Sequence, residues 1–230
     1  DKRRLQVLSN VSAEFEIAAR LLAEGRAGRS APAAFFASPE FHAAVRDDGL
    51  LPFAFGAYVR RVALLAGDRA ALAAAELEGA LAEARRGPRV ATVAREAAAP
   101  IAASSAFEGP RLSPRARLVV VPAGATDALA AAKDAILGGE RGDLRRYFAA
   151  TAEADASECA LVVGDARSSP HRPAAVRIER LEPLVHALLE AAHDRPLDVA
   201  AFAAAHELSA EDVDAFAADL VAEGVLVRTR

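Results

Sequence analysis

AVRIERLEPLVHALLEAAHDRPLDVAAFAAAHELSAEDVDAFAADLVAEGVLV, residues 175–227, is the stretch whose reading decides the fold. Ala175 to Glu179 alternates in strand fashion. A second strand-like run, Cys159 to Val163, precedes it across a loop rich in Gly, Asp, Ser and Pro. Three short helices are expected next. The first carries Leu181, Leu184, Val185, Leu188 and Leu189, and the second begins near Asp198 and buries Val199 and Phe202. The third opens on the capping box Ser209-x-x-Asp212, with an Asp in the usual Glu position, and presents Val213, Phe216 and Leu220. Gly224 stops it, and Val225-Leu226-Val227 returns as a strand.

The order strand, strand, helix, helix, helix, strand predicts a winged-helix-like module at the C-terminus. Upstream, the pattern is helical. Ala13 to Glu24 reads as an amphipathic helix capped by Ser12 and stopped by Gly25, with Phe15, Ala18, Leu21 and Leu22 toward the core. Gly25 to Pro32 reads as loop. Ser38-Pro39-Glu40 starts a helix with Phe41 and Val45 that ends by Gly49. Pro52 opens the most apolar helix, with Phe55, Tyr58, Val62 and Leu65 on one stripe and a break at Gly67-Asp68. Arg69 to Arg86 forms its antiparallel neighbour, whose alternating acids and arginines mark a wet side.

From Gly87 to Pro114 the pattern dissolves into Ala, Ser, Gly and Pro, and a helical turn over Val90 to Ala99 is the one regular element expected there. Leu118-Val119-Val120-Val121-Pro122 reads as a short buried strand or extended segment, and Thr126 caps a helix with Leu129, Ala132 and Ile136 on one face, ended by Gly138-Gly139. The expected fold class is mostly α (α+β): a helical domain over 1–112 and a smaller winged-helix-like α+β domain over 113–230.

Hydrophobic residues make up 53% of the 230, but much of that share is alanine, and aromatics are 5%. Alanine favours helix and buries little area, so closely approaching helices are expected. A net charge of −4 and a pI near 5.8 give no long-range attraction for phosphate backbones or anionic membranes. Lys2 and Lys133 are the only lysines. The sequence contains no methionine, so the native start is expected upstream of Asp1. One cysteine, Cys159, excludes an intramolecular disulfide and a Cys-rich metal site. No signal segment and no apolar run of membrane-spanning length is evident, so a cytoplasmic protein is expected.

The census of chemistry is negative. His186 and His193 stand seven apart, two helical turns, where ligand pairs stand three or four apart; His171 and His206 have no carboxylate or cysteine at ligand spacing, and His42 lies next to Phe41 near a helix start. Ser104-Ser105 and Ser168-Ser169 lack a nucleophile-elbow context, and Cys159 opens an apolar strand, where a buried thiol is inert. Gly138 to Gly142 lacks the Lys and Ser/Thr of a phosphate loop. The third helix of the C-terminal module carries Glu211, Asp212, Asp214, Asp219 and Glu223 with no Lys or Arg. Those carboxylates would face phosphates in a major groove, so nucleic acid is not the expected partner. The same architecture serves peptide docking, in which a ligand adds a strand to a sheet edge beside the third helix. Val176 and Ile178 lie on the strand that would offer this edge, or that simply covers the core; both readings stand.

Cys159-Ala-Leu-Val-Val-Gly-Asp, Ala175-Val-Arg-Ile-Glu, Leu181 to Leu189 and Leu220-Val-Ala-Glu-Gly-Val-Leu-Val together are similar to peptide-recognition modules of ribosomally made, modified peptides. They also resemble the C-terminal region of partner subunits of multinuclear non-haem iron oxidative enzymes, of the methanobactin-type and thiaglutamate-type pathways. A helical N-terminal region precedes the module in those partners, and Leu51-Pro52 through Arg86, Ser113-Pro114 and Leu118 to Val121 are compatible with that layout. The resemblance implies a non-catalytic subunit that binds a precursor leader peptide and the iron enzyme. The chain itself would hold no cofactor; the iron would sit in the partner. The peptide would dock along Val176, Arg177, Ile178 and Glu179, with Asp212 and Phe216 of the third helix beside it. The alternative is a winged-helix transcription regulator whose helical part dimerises or senses a ligand.

Overall fold

The structure is a computed structural model that describes residues 2–97, 109–140, 142–164 and 176–228, with the backbone alone over 87–97. In chain order the first elements are α1 (Lys2–Ser12), α2 (Glu16–Glu24), α3 (Pro39–Arg46), α4 (Leu51–Ala66), α5 (Arg69–Ala97), β1 (Pro110–Leu112), β2 (Ala116–Pro122) and α6 (Ala125–Leu137). There follow α7 (Ala149–Glu153), β3 (Ser157–Gly164), β4 (Val176–Leu181), α8 (Pro183–Ala191), α9 (Val199–Ala205), α10 (Ala210–Ala222) and β5 (Leu226–Arg228). Two 3-10 turns, Pro32–Ala37 and Leu144–Phe148, lie among them. The chain is mostly helical with a small amount of sheet.

Contacts gather it into two compact units, residues 1–82 with 119–158 and residues 83–118 with 159–230. The division expected after residue 112 does not coincide with these units. The segment 119–158 joins the N-terminal helices because α6 and the Leu144–Phe148 turn both pack on α2.

In the first unit the aromatic side chains form the core. Phe35 meets Phe55 edge-on at 5.2 Å between centroids, Phe15 meets Phe55 at 6.1 Å, and the Tyr58 hydroxyl donates to the Ala31 carbonyl at 2.5 Å. Edge-to-face pairs of this kind add to simple area burial. This cluster turns α4 relative to the expected stripe. Its buried face is Phe55, Tyr58, Val59 and Ala63, while Val62 is half-buried and Leu65 is 76% exposed. The caps at Ser38 and the break at Gly67 follow expectation: Ser38 Oγ accepts from Phe41 N at 3.2 Å, and Gly67 adopts φ +64°.

Two expectations fail here. The first helix is not one run from Ala13: α1 precedes it, and α2 begins at Glu16 with Phe15 in the N-cap position and no side-chain cap of its own. The wet side assigned to α5 is also wrong at Glu78, which is 3% exposed. The two observations have one cause. Glu78 accepts from Ile17 N at 3.2 Å and from Ala18 N at 2.9 Å, so it caps α2 from another helix and satisfies donors that Phe15 cannot. Glu158 does the same for α6, accepting from Gly124 N at 3.0 Å and from both Thr126 N and Thr126 Oγ1 at 2.8 Å. Thr126 therefore sits in the first turn as a donor and is not the cap.

In the second unit the core is built from Leu161 and Val163 of β3, Leu188 and Leu189 of α8, Phe202 of α9, Val213 and Leu220 of α10, and Val225 and Leu226 at the C-terminal return. Asp198 caps α9, accepting from Ala201 N at 2.9 Å, and Ser209 caps α10, accepting from Glu211 N at 3.2 Å. Gly224 ends α10 at φ +77°. Leu181 belongs to β4, where it pairs with Cys159, and not to the helix expected there, because α8 starts at Pro183. The return strand β5 does not join β3 and β4. It pairs antiparallel with β1, Leu226 opposite Leu112, within a stretch read as patternless. Leu112 N also donates to Ala192 O, and Leu197 N to Pro110 O, both at 2.8 Å, so β1 is hydrogen-bonded on both edges. α5 likewise runs on through Gly87-Pro88 to Ala97, where the pattern was expected to dissolve, although Gly and Pro are the poorest helix formers. The end of the helical turn expected over Val90 to Ala99, Ser104-Ser105, Ser168-Ser169, His171 and Ala175 lie outside the described residues.

Candidate functional site

β4 is the last strand of the sheet ordered β2-β3-β4. It pairs antiparallel with β3 in a register that sets Gly164 opposite Val176, Val163 opposite Arg177, Val162 opposite Ile178 and Leu161 opposite Glu179. An antiparallel ladder spends alternate backbone groups on each side. Among the described residues no strand takes up the second side of β4. Val176 and Ile178 are half-buried, and Arg177 and Glu179 are exposed. Two-fold alternation thus holds from Val176 to Glu179: Arg177 and Glu179 share the face of the core residues Val163 and Leu161, and the apolar pair lies with Val162 on the opposite face.

Arg177 links this edge to α10. Its guanidinium meets Glu179 Oε1 at 3.1 Å and Glu223 Oε2 at 3.0 Å, with all three side chains about half exposed. Such exposed pairs add little to stability; this one joins β4 to Glu223, the residue that ends α10. Counting back from Glu223 by helical steps gives Asp219, Phe216 and Asp212, a single exposed stripe, with Phe216 39% exposed. Val213, Ala217 and Leu220 occupy the buried side. Phe216 was expected with that core set and instead stands on the surface. The six residues singled out from sequence therefore fall into two groups: Val176, Arg177, Ile178 and Glu179 on the edge strand, and Asp212 and Phe216 on the exposed stripe of α10 whose far end, Glu223, meets Arg177.

The electrostatics of the stripe are one-sided. Of the acids on α10 and at its C-cap, only the C-cap Glu223 has an ion-pair partner among the described residues. Asp219 and Glu223 also lie at the C-terminal end of the helix, where the macrodipole disfavours carboxylates. A cationic group placed there would relieve both effects.

A second concavity of about 340 Å³ flanks α10 on its other side, lined by Gly109, Pro110, Asp214, Ala217, Val221 and Arg228. Sequence reading missed it because β1 carries no periodic signal. Cys159 is half-buried in its pair with Leu181, and His193 Nδ1 lies 2.8 Å from Asp194 Oδ1. Among the described residues no group of three His, Cys, Asp or Glu side chains is gathered, and no helix is long and apolar enough to cross a membrane. Comparison of the chain with protein-family models, with curated proteins and with solved structures gives no match.

Proposed function

We propose that this chain is a non-catalytic, cytoplasmic partner subunit that holds a ribosomally made precursor peptide through a winged-helix-like module and presents it to a multinuclear non-haem iron oxidative enzyme. The observation that supports the reading is the unpaired second side of β4, tied through Arg177 to Glu223 at the end of the Asp212, Phe216 and Asp219 stripe. A leader segment added along Val176 to Glu179 would gain backbone hydrogen bonds from the edge and side-chain selection from the stripe. The ring of Phe216 offers an apolar anchor, and the carboxylates favour a peptide with Lys or Arg at matching positions. The likeness of these segments to peptide-recognition modules points the same way. Iron chemistry in this reading belongs to the partner enzyme.

The test is calorimetric titration of a precursor peptide encoded beside the gene. Ile178→Pro removes a backbone donor and fixes φ on the docking strand, so it should abolish binding. Because Ile178 also pairs with Val162, circular dichroism must show a native spectrum. Phe216→Ala and Asp212→Lys, both at exposed positions, supply the readout that does not depend on the strand. Each should weaken binding about tenfold, the effect of ~1.4 kcal/mol. Unchanged affinity in all three folded variants would remove the peptide from this edge.

A further inference from the structure

We infer that Arg26, Arg69 and Arg145 of the first unit form a binding site for a phosphate monoester. The three guanidiniums line one concavity of about 240 Å³ together with Gly67, Asp68 and Ala152. Three positive charges meet one negative one, and the negative one is already engaged. Asp68 pairs with Arg145 and caps α5 by accepting from Ala71 N at 3.1 Å. Asp68 thus also occupies the start of α5, so the guanidinium cluster, and not the helix terminus, makes the site.

The remaining charges are uncompensated. Arg69 donates to a neutral acceptor, the Ala154 carbonyl, and has no carboxylate partner among the described residues. Arg26 stands in the turn after α2, exposed, and has no partner at all among the described residues. Arg145 is held in place: it pairs with Asp68, donates to the Leu21 carbonyl at 2.5 Å, and keeps its Nε buried without a partner. Gly25 makes that placement possible, because a Cβ there would collide with the Arg145 guanidinium and lie 2.5 Å from Asp68 Oδ2. Arg145, its fork already spent on Asp68, anchors the wall, and the other two guanidiniums around a hollow walled by small residues suit a tetrahedral oxyanion, since a free fork takes two oxygens side by side.

Charge and size narrow the class. A phosphate monoester carries about −1.5 to −2 at pH 7, which balances the two uncompensated arginines; a carboxylate would leave one over. The volume lies below the roughly 300–1,000 Å³ of pockets that enclose drug-sized ligands, so the organic part must be small or project into solvent.

The test is thermal denaturation and calorimetry of the full chain at constant ionic strength, with sodium chloride, sodium sulfate, inorganic phosphate, a sugar phosphate and a nucleoside monophosphate as probes. Phosphate or its esters should raise the melting temperature, and ester binding should tighten as pH rises through about 6, where the second proton leaves. Sulfate should show no such pH step. Arg26→Gln and Arg69→Gln should each weaken binding about tenfold or more, as loss of a charge-assisted contact does. Tighter binding of an ester than of inorganic phosphate assigns the site to the ester, and equal binding assigns it to the free ion. A melting temperature that follows ionic strength alone, or variants that bind like wild type, would overturn the proposal.

Discussion

Replacing Glu78 with Gln isolates the effect of one buried carboxylate on stability. Glu78 lies on α5, is 3% exposed, and caps α2 through Ile17 N and Ala18 N. Burial strips its carboxylate of water and pushes its pKa up from 4.5 to about 7. The two backbone donors and Lys133 of α6 pull it down and Glu16 of α2 pushes it up, but burial wins. Because the folded-state pKa lies above the unfolded one, the folded chain binds this proton more tightly. The resulting stability is fully present below pH 4.5 and is lost as pH rises through about 7. At ~1.36 kcal/mol per pH unit, a span of about 2.5 units is worth about 3 kcal/mol. Glutamine resembles the protonated acid in offering one acceptor and carrying no charge. Urea unfolding of wild type and Glu78→Gln, followed by circular dichroism from pH 4 to 8, reads the effect as a difference. Titrations elsewhere cancel between the two proteins. The variant should gain about 3 kcal/mol on the wild type across that range. A difference flat within about 0.5 kcal/mol would refute the argument.

Gly56→Ala should destabilise by about 1–3 kcal/mol in urea, although such a change within a helix ordinarily stabilises, because the new Cβ would lie within 2.6 Å of Phe15 Cε1 in a ring that is fully buried. Glu158→Ala should cost about 2–4 kcal/mol by the same measurement, since it strands two backbone donors at the start of α6 and the Thr126 hydroxyl; Glu158→Gln should recover part of it. A fluorescence-anisotropy titration with genomic duplex fragments at physiological salt should show no sequence-selective sub-micromolar binding, because α10 and its C-cap Glu223 carry five acids and no Lys or Arg; such binding would favour the transcription-regulator reading.

What the sequence determined by itself was decided by neighbours in the chain. Ser38, Asp198 and Ser209 cap helices through donors two or three residues away, and Gly67 and Gly224 end helices by adopting a backbone conformation that their lack of a Cβ allows. Strand alternation from Val176 to Glu179 was legible for the same reason. Tertiary structure alone decided what depends on distant partners. An acid between Leu77 and Gly79 reads as solvated until α2 needs a cap sixty residues away, and then Glu78 is core. A stripe on α4 has a phase that only the Phe15 and Phe35 rings can set. β1 has three residues and no periodicity, and exists because β5 and the Ala192 and Leu197 backbone groups supply its hydrogen bonds. Arg26, Arg69 and Arg145 carry no mutual signal across a separation of 119 positions. Side-chain periodicity records which face of an element is apolar, whereas electrostatic partners and strand neighbours are fixed only when the chain closes on itself.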